Sequence, residues 1–255
     1  MDSLKSIAAC SFKEILRQKA YLVVLLFGLI LLGGALIVSV LAQQERLRMI
    51  LDLGLAAGEL IGLVLAVFTS VNLILRELES RTVQLVLAHP VHRSHYILGR
   101  FLGAWAAVAC AMALMAALHL GLLALYGWRG TGVYVLAWLC TLGKTAVMAA
   151  LALLLSLALS SPAAAMAFTL FLWMLGHFTA EMRFLAERSG SFLLKWPLLL
   201  AAFTTPDLAR FDYRDFWSAA PGPGASWFLW LALYTAAYVS TALALSCQLF
   251  SQKEV

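Results

Sequence analysis

Four ionisable side chains, Glu59, His119, Lys144 and His177, lie inside long apolar runs. A charge in hydrocarbon is costly, so such residues face a bundle interior or a wet cavity and pair with one another. By helical rise, Glu59 lies about seven residues, roughly 10 Å, from the outer end of its run, and His119 about the same. Lys144 sits near the middle of its run and His177 one turn inside the outer end of its own. The expectation is a polar layer lining an outer vestibule, part of a translocation path, with Glu59 and Lys144 close enough in depth to pair. Separate snorkelling, or a hydrogen bond from each residue to a neighbouring helix, would account for the same residues. The two histidines, on different runs at similar depth, would also suit haem in an intramembrane redox protein. A metal site built from His119, His177 and Glu59 is opposed by the nearby Lys144, and no metal is expected.

A second constellation runs from Arg76 to Arg100. It reads as a helix leaving one apolar run, a proline turn at Pro90, and a helix entering the next run. Its polar residues include Glu77, Glu79, Arg81, Thr82, His89, His92, Arg93 and His95. A rigid polar projection of this kind is what a soluble partner could push on; the alternative is a solvated connector with no partner. The sequence has no G-x-x-x-x-G-K-[ST] motif, so phosphoryl chemistry would have to come from another chain.

The elements that must position these residues follow from composition. Of 255 residues, 63% are hydrophobic and 12% charged, against about 45–50% and 25% in soluble domains. That excludes a cytosolic globular enzyme, a disordered chain and a disulfide-stapled secreted domain. The four cysteines, Cys10, Cys110, Cys140 and Cys247, show no disulfide framework or zinc spacing. The net charge of +5 comes from basic residues between apolar runs, which is membrane orientation rather than nucleic-acid binding. Six runs, near 20–42, 52–75, 101–126, 133–158, 163–181 and 227–249, are long enough to cross about 30 Å of hydrocarbon. The fold class is therefore an all-α integral membrane protein, one domain over 1–255, with six spans. Leu4, Ile7, Ala8, Ser11, Phe12, Ile15 and Leu16 repeat with helical period, so residues 2–19 form an amphipathic helix suited to the headgroup layer. Arg and Lys counts put both termini and the 76–100 loop in the cytoplasm and Asp212 outside. The segment 182–226 is a long outer loop with short helices, and Thr205-Pro206-Asp207 has the form of a helix start. Gly54, Gly58 and Gly62 fall on one face of the second span, where small residues favour close helix packing within the chain.

The 76–100 segment resembles the signature of type-2 ABC transporter permeases. It supplies Glu77, Glu79, Thr82, Leu87, Pro90, Val91, Arg93, Leu98, Gly99 and Arg100, with His89 and Arg100 where the pattern usually has Ser or Thr and Lys. The resemblance extends over the whole chain. Residues Pro206 to Asp212 resemble an element of the NosY-like, multicopper-enzyme-maturation subgroup, with Asp for Asn at both ends. The resemblance implies a permease subunit of an ATP-driven exporter in a prokaryotic inner membrane. It also implies that 76–100 is a coupling loop docking into an ATPase dimer that binds ATP and Mg, and that a second permease, identical or paralogous, completes the pathway. A stand-alone secondary transporter would carry matched helix breaks in two halves, and no internal repeat is visible.

Overall fold

The structure is a computed structural model that describes residues 2–17, 21–41, 45–79, 93–128, 130–159, 161–189, 192–213 and 224–252. Among these residues the fold is all helical, with nine α-helices: α1 Asp2–Arg17, α2 Tyr21–Leu41, α3 Arg46–Glu79, α4 Arg93–Leu125, α5 Thr131–Ala158, α6 Pro162–His177, α7 Thr179–Arg188, α8 Phe192–Thr204 and α9 Ala225–Gln252. One 3₁₀ turn, Ala209–Phe211, lies between α8 and α9.

Four helices, α3, α4, α5 and α9, are long and apolar enough to cross a membrane, and α6 with α7 makes a fifth if the bent pair is one span. The fifth expected run therefore departs from its sequence reading: it is broken after His177, where α7 turns 64° away from α6. The break coincides with a close contact from a segment distant in sequence. Gly176 lets a neighbouring segment approach so closely that a Cβ there would stand 2.6 Å from the Pro206 carbonyl oxygen. The Gly176 carbonyl accepts from the Leu208 amide at 2.9 Å, a bond to another segment in place of one along the helix.

Other helix ends follow local rules. Ser161 caps α6 by accepting from the Ala164 amide, with Pro162 at the first helical position, where its missing N–H is not needed. At the end of α4, the Gly127 and Trp128 amides bond back to Ala124 and Leu123. Gly127 has φ +82°, so this is a Schellman closure with glycine at the left-handed position.

α3 and α5 form the centre. Their apolar windows are 56% and 61% buried, against 11% for α9, which lies at the edge. The glycine face of α3 packs within the chain, and large side chains fill it: the His119 ring lies on Gly54, Trp138 on Gly58 and Met112 on Gly62. The close backbone approach occurs elsewhere, between α1 and α4. A Cβ on Gly103 would stand 2.5 Å from the Ala8 carbonyl oxygen, and one on Gly99 would stand 2.8 Å from Ile7. The apolar stripe of α1 thus packs on α4, with Ser11 and Ile15 buried and Lys5 and Lys13 exposed.

Candidate functional site

Lys144 lies midway along α5 and is buried. Its ammonium meets three side chains from three other elements. Glu59 of α3 accepts at 2.7 Å through Oε1, Asp212 at 3.2 Å through Oδ1, and His177 Nε2 at the end of α6 lies 3.3 Å away. Glu59 Oε1 is also 3.5 Å from His177 Nε2. The imidazole is held on its other side. Nδ1 lies 2.9 Å from the Trp173 carbonyl, one turn back, and the Trp173 indole meets the ring edge to face at 4.7 Å. With Nδ1–H donating to that carbonyl, Nε2 offers its lone pair to Lys144. An ammonium has three donors, and here each has an acceptor.

Charge explains why the four groups belong together. Burying an ion is tolerated only when it is paired and its remaining hydrogen-bonding capacity is filled. Glu59 and Lys144 are both nearly inaccessible, at 8% and 3% side-chain exposure, while Asp212, at 28%, is partly open. The core of the cluster is thus a tight buried pair, and Asp212 is a second, more exposed acid contributed by a separate segment.

Asp212 arrives on a segment that sequence reading treats as outer loop. Thr205-Pro206-Asp207 does not start a helix. The Thr205 hydroxyl bonds back to Ala201 at 2.6 Å, and the main chain then turns into the bundle. Backbone donors that a helix would use internally go elsewhere: the Leu208 amide to Gly176, and the Asp207 amide to the Tyr234 hydroxyl at 2.7 Å. The Asp207 carboxylate accepts from Thr179 at 2.9 Å and from Arg210 at 2.7 Å. This second bond holds the Arg210 guanidinium above its usual pKa range. Leu208, Phe211 and Tyr213 are buried. Residues 205–213 therefore form a plug set into one end of the bundle, with Asp212 reaching Lys144.

His119 takes no part in the cluster. It is buried on α4 with Nε2 3.3 Å from the Ile50 carbonyl. Its ring lies over Gly54 and beside Tyr134, whose centroid is 5.4 Å away. Three of the four expected polar-layer residues, Glu59, Lys144 and His177, are thus together, His119 is separate, and Asp212 is an addition. No group of three or more His, Cys, Asp or Glu able to hold a metal occurs among the described residues. For haem, His177 would have to give up Lys144, and His119 would have to give up Ile50.

At the other end of the bundle, Glu77 and Glu79 lie in the last turn of α3. Arg81, Thr82, His89, Pro90 and Val91 fall outside the described residues. Arg93 opens α4 and donates to the Ser251 carbonyl at 3.0 Å and to that of Phe250 at 3.5 Å, the last turn of α9. Tyr96 stacks on Phe250 at 5.4 Å. The start of α4 is thus tied to the end of α9, a role for Arg93 that its place in the loop does not announce.

The family model for ABC-2 family transporter proteins matches residues 5–255. No curated protein matches the chain. The chain belongs to the ABC-2 transporter family, as a multi-pass membrane component whose family implies an ABC ATPase as partner.

Proposed function

We propose that this ABC-2 family chain is the permease subunit of an ATP-driven exporter in a prokaryotic plasma membrane, working with a separate ATPase dimer and a second permease copy, identical or paralogous. The observation that carries the proposal is the family match across nearly the whole chain, in a sequence that contains no P-loop. Work on a cargo must then enter through a contact. α2 has 21 residues, about 31 Å by helical rise, and supports a sixth crossing beside α3, α4, α5, the α6–α7 pair and α9. Six crossings return both termini to the cytoplasm and put the 76–100 loop there. ATP and Mg are bound by the partner, and this chain needs no cofactor of its own. The Pro206–Asp212 element favours the NosY-like subgroup.

The loop residues Glu77, Glu79, Arg81, Thr82, His89, Pro90 and Val91 form the ATPase contact. Arg93 passes displacement of the loop to α9 through its bonds to Phe250 and Ser251. Glu59, Lys144 and His177, with Asp212, line the outer end of the path. Exchanging Glu79→Lys and Val91→Asp tests the contact, with the variant co-expressed with its ABC ATPase partner. Charge-assisted interface contacts are worth enough that co-purified ATPase should fall about tenfold while membrane yield and thermal melting stay unchanged. Normal recovery of ATPase with normal coupled hydrolysis would overturn the assignment.

A further inference from the structure

Beside the plug lies a cleft of about 520 Å³ between α4, α5 and α9, with Trp105, Leu139, Gly143, Leu231 and Val239 among its walls. Its lining is almost wholly apolar. The one hydroxyl, that of Thr235, is occupied by the Leu231 carbonyl at 2.8 Å. Leu102 and Leu139 on the cleft wall are exposed, so the cleft opens on the outer surface of the bundle, where a membrane protein meets acyl chains. Its inner limit is Phe211, whose ring packs at Gly143, the residue before Lys144. Phe211 also lines a second crevice, of about 10 Å³, that contains Glu59, Asp212 and Thr141. Phe211 therefore stands between the apolar cleft and the charged cluster, and the next residue, Asp212, puts its carboxylate on Lys144.

Two adjacent plug residues thus place an apolar ring in the cleft and an acid on the buried cation. We propose that they stand in for a ligand: an amphiphilic anion drawn sideways from the bilayer, its carboxylate or phosphate taking the place of Asp212 on Lys144 and its tail lying in the cleft. The proposal rests on the permease reading and names its class of cargo. Charge supports it. When Asp212 withdraws, Lys144 remains balanced by Glu59 but has a buried donor without an acceptor, which is costly. An anionic head fills that position, and it does so more strongly than a neutral hydroxyl. The same exchange removes Phe211 from the wall and joins the cleft to the cluster, so head and tail are admitted together.

The test uses the full chain in phosphatidylcholine nanodiscs without ATPase. The probes are a sixteen-carbon fatty acid and the matching fatty alcohol, each with a diazirine near the tail end, and crosslinks are mapped by mass spectrometry. Labelling of Leu139 and Leu231 should favour the acid about tenfold, the difference between a charge-assisted and a neutral hydrogen bond. Asp212→Asn, which weakens the stand-in, should raise acid labelling severalfold. Lys144→Met with Glu59→Gln, which removes both buried charges together, should bring acid and alcohol to equal labelling. Ala232→Trp, which fills the cleft, should abolish labelling by both. Equal labelling by acid and alcohol in the unaltered chain would overturn the proposal, showing lipid contact only. An acid preference that survives loss of Lys144 and Glu59 would overturn it too, as would Asp212→Asn without effect. None of these results bears on ATPase recruitment, which tests the permease reading by itself.

Discussion

Lys144 and Arg100 are both buried cations on central parts of the bundle, and they are held in opposite ways. Lys144 draws its partners from α3, from the end of α6 and from the plug, three elements far apart in sequence. Arg100, near the start of α4, bonds to two residues of one neighbouring helix, Ser11 at 3.0 Å and Glu14 at 3.3 Å on α1, and its guanidinium lies 5.5 Å from the ring centre of Tyr96 on its own helix. The surroundings differ as well. Around Arg100, glycine and apolar contacts already fix α1 against α4, and Glu14 is 41% exposed. Around Lys144 the charges themselves are the contact, and every partner must arrive for the site to be satisfied. A cation fed by one helix fastens that helix. A cation fed by three elements registers their arrangement, and one of the three, the plug, carries its acid in from the more open side.

The widest separation between the two sites should come from deleting the lysine charge. Lys144→Met leaves Glu59 buried without its partner, and removing one member of a buried pair costs about 3–5 kcal/mol. Yield of folded protein in detergent should drop sharply, and thermal unfolding should shift by many degrees. Adding Glu59→Gln should recover much of the loss, because an uncharged buried amide is far cheaper than an unpaired carboxylate. Fluorescence-detected melting of the single and double variants decides it: additive losses would show that the two residues do not depend on each other.

The second effect tests whether packing, rather than charge, holds α1. Gly103→Leu places a side chain where the Ala8 carbonyl and the Ser11 Cβ now lie. Overpacking of this kind costs about 1–3 kcal/mol. The loss should be local, with α1 released and protease cleavage near Cys10 made faster, while the Lys144 cluster and its melting transition persist. Cleavage at the unaltered rate would show that α1 does not depend on this contact.

Depth along a helix is more legible in a sequence than direction around it. The apolar runs are helical, the fifth in two pieces broken after His177, because hydrophobic length is read directly from composition, and Glu59, Lys144 and His177 stand out because a charged or imidazole group in such a run is conspicuous. A count along one helix does not say which way a residue faces. His119 lies at a depth like that of Glu59, yet its Nε2 meets the Ile50 carbonyl and not the charged cluster. The break at His177 was hidden for a related reason: it coincides with the approach of Pro206 and Leu208 to Gly176, a contact 30 or more residues distant. Asp212 could not be recognised from polarity, because it sits in an ordinary polar stretch. The available signal was the spacing of Leu208, Phe211 and Tyr213 around it, three large apolar residues in a segment expected to face water.

The smallest effect belongs to the ion pair at Arg100, and its size is the sharpest test of the contrast. Glu14→Gln keeps the shape of the side chain and a hydrogen-bond acceptor while removing the charge. Because Glu14 is 41% exposed, water and salt already screen the pair, and such exposed pairs contribute about 0–1 kcal/mol. Arg100 keeps the Ser11 hydroxyl, and the Gly99 and Gly103 contacts are untouched. Protease sensitivity of α1 and the melting temperature should therefore change little, and raising the salt concentration should not change them further. If Glu14→Gln instead released α1 as Gly103→Leu does, the charge would be the fastening, and the distinction between a cation that fastens one helix and a cation that registers three elements would fail at its simpler end.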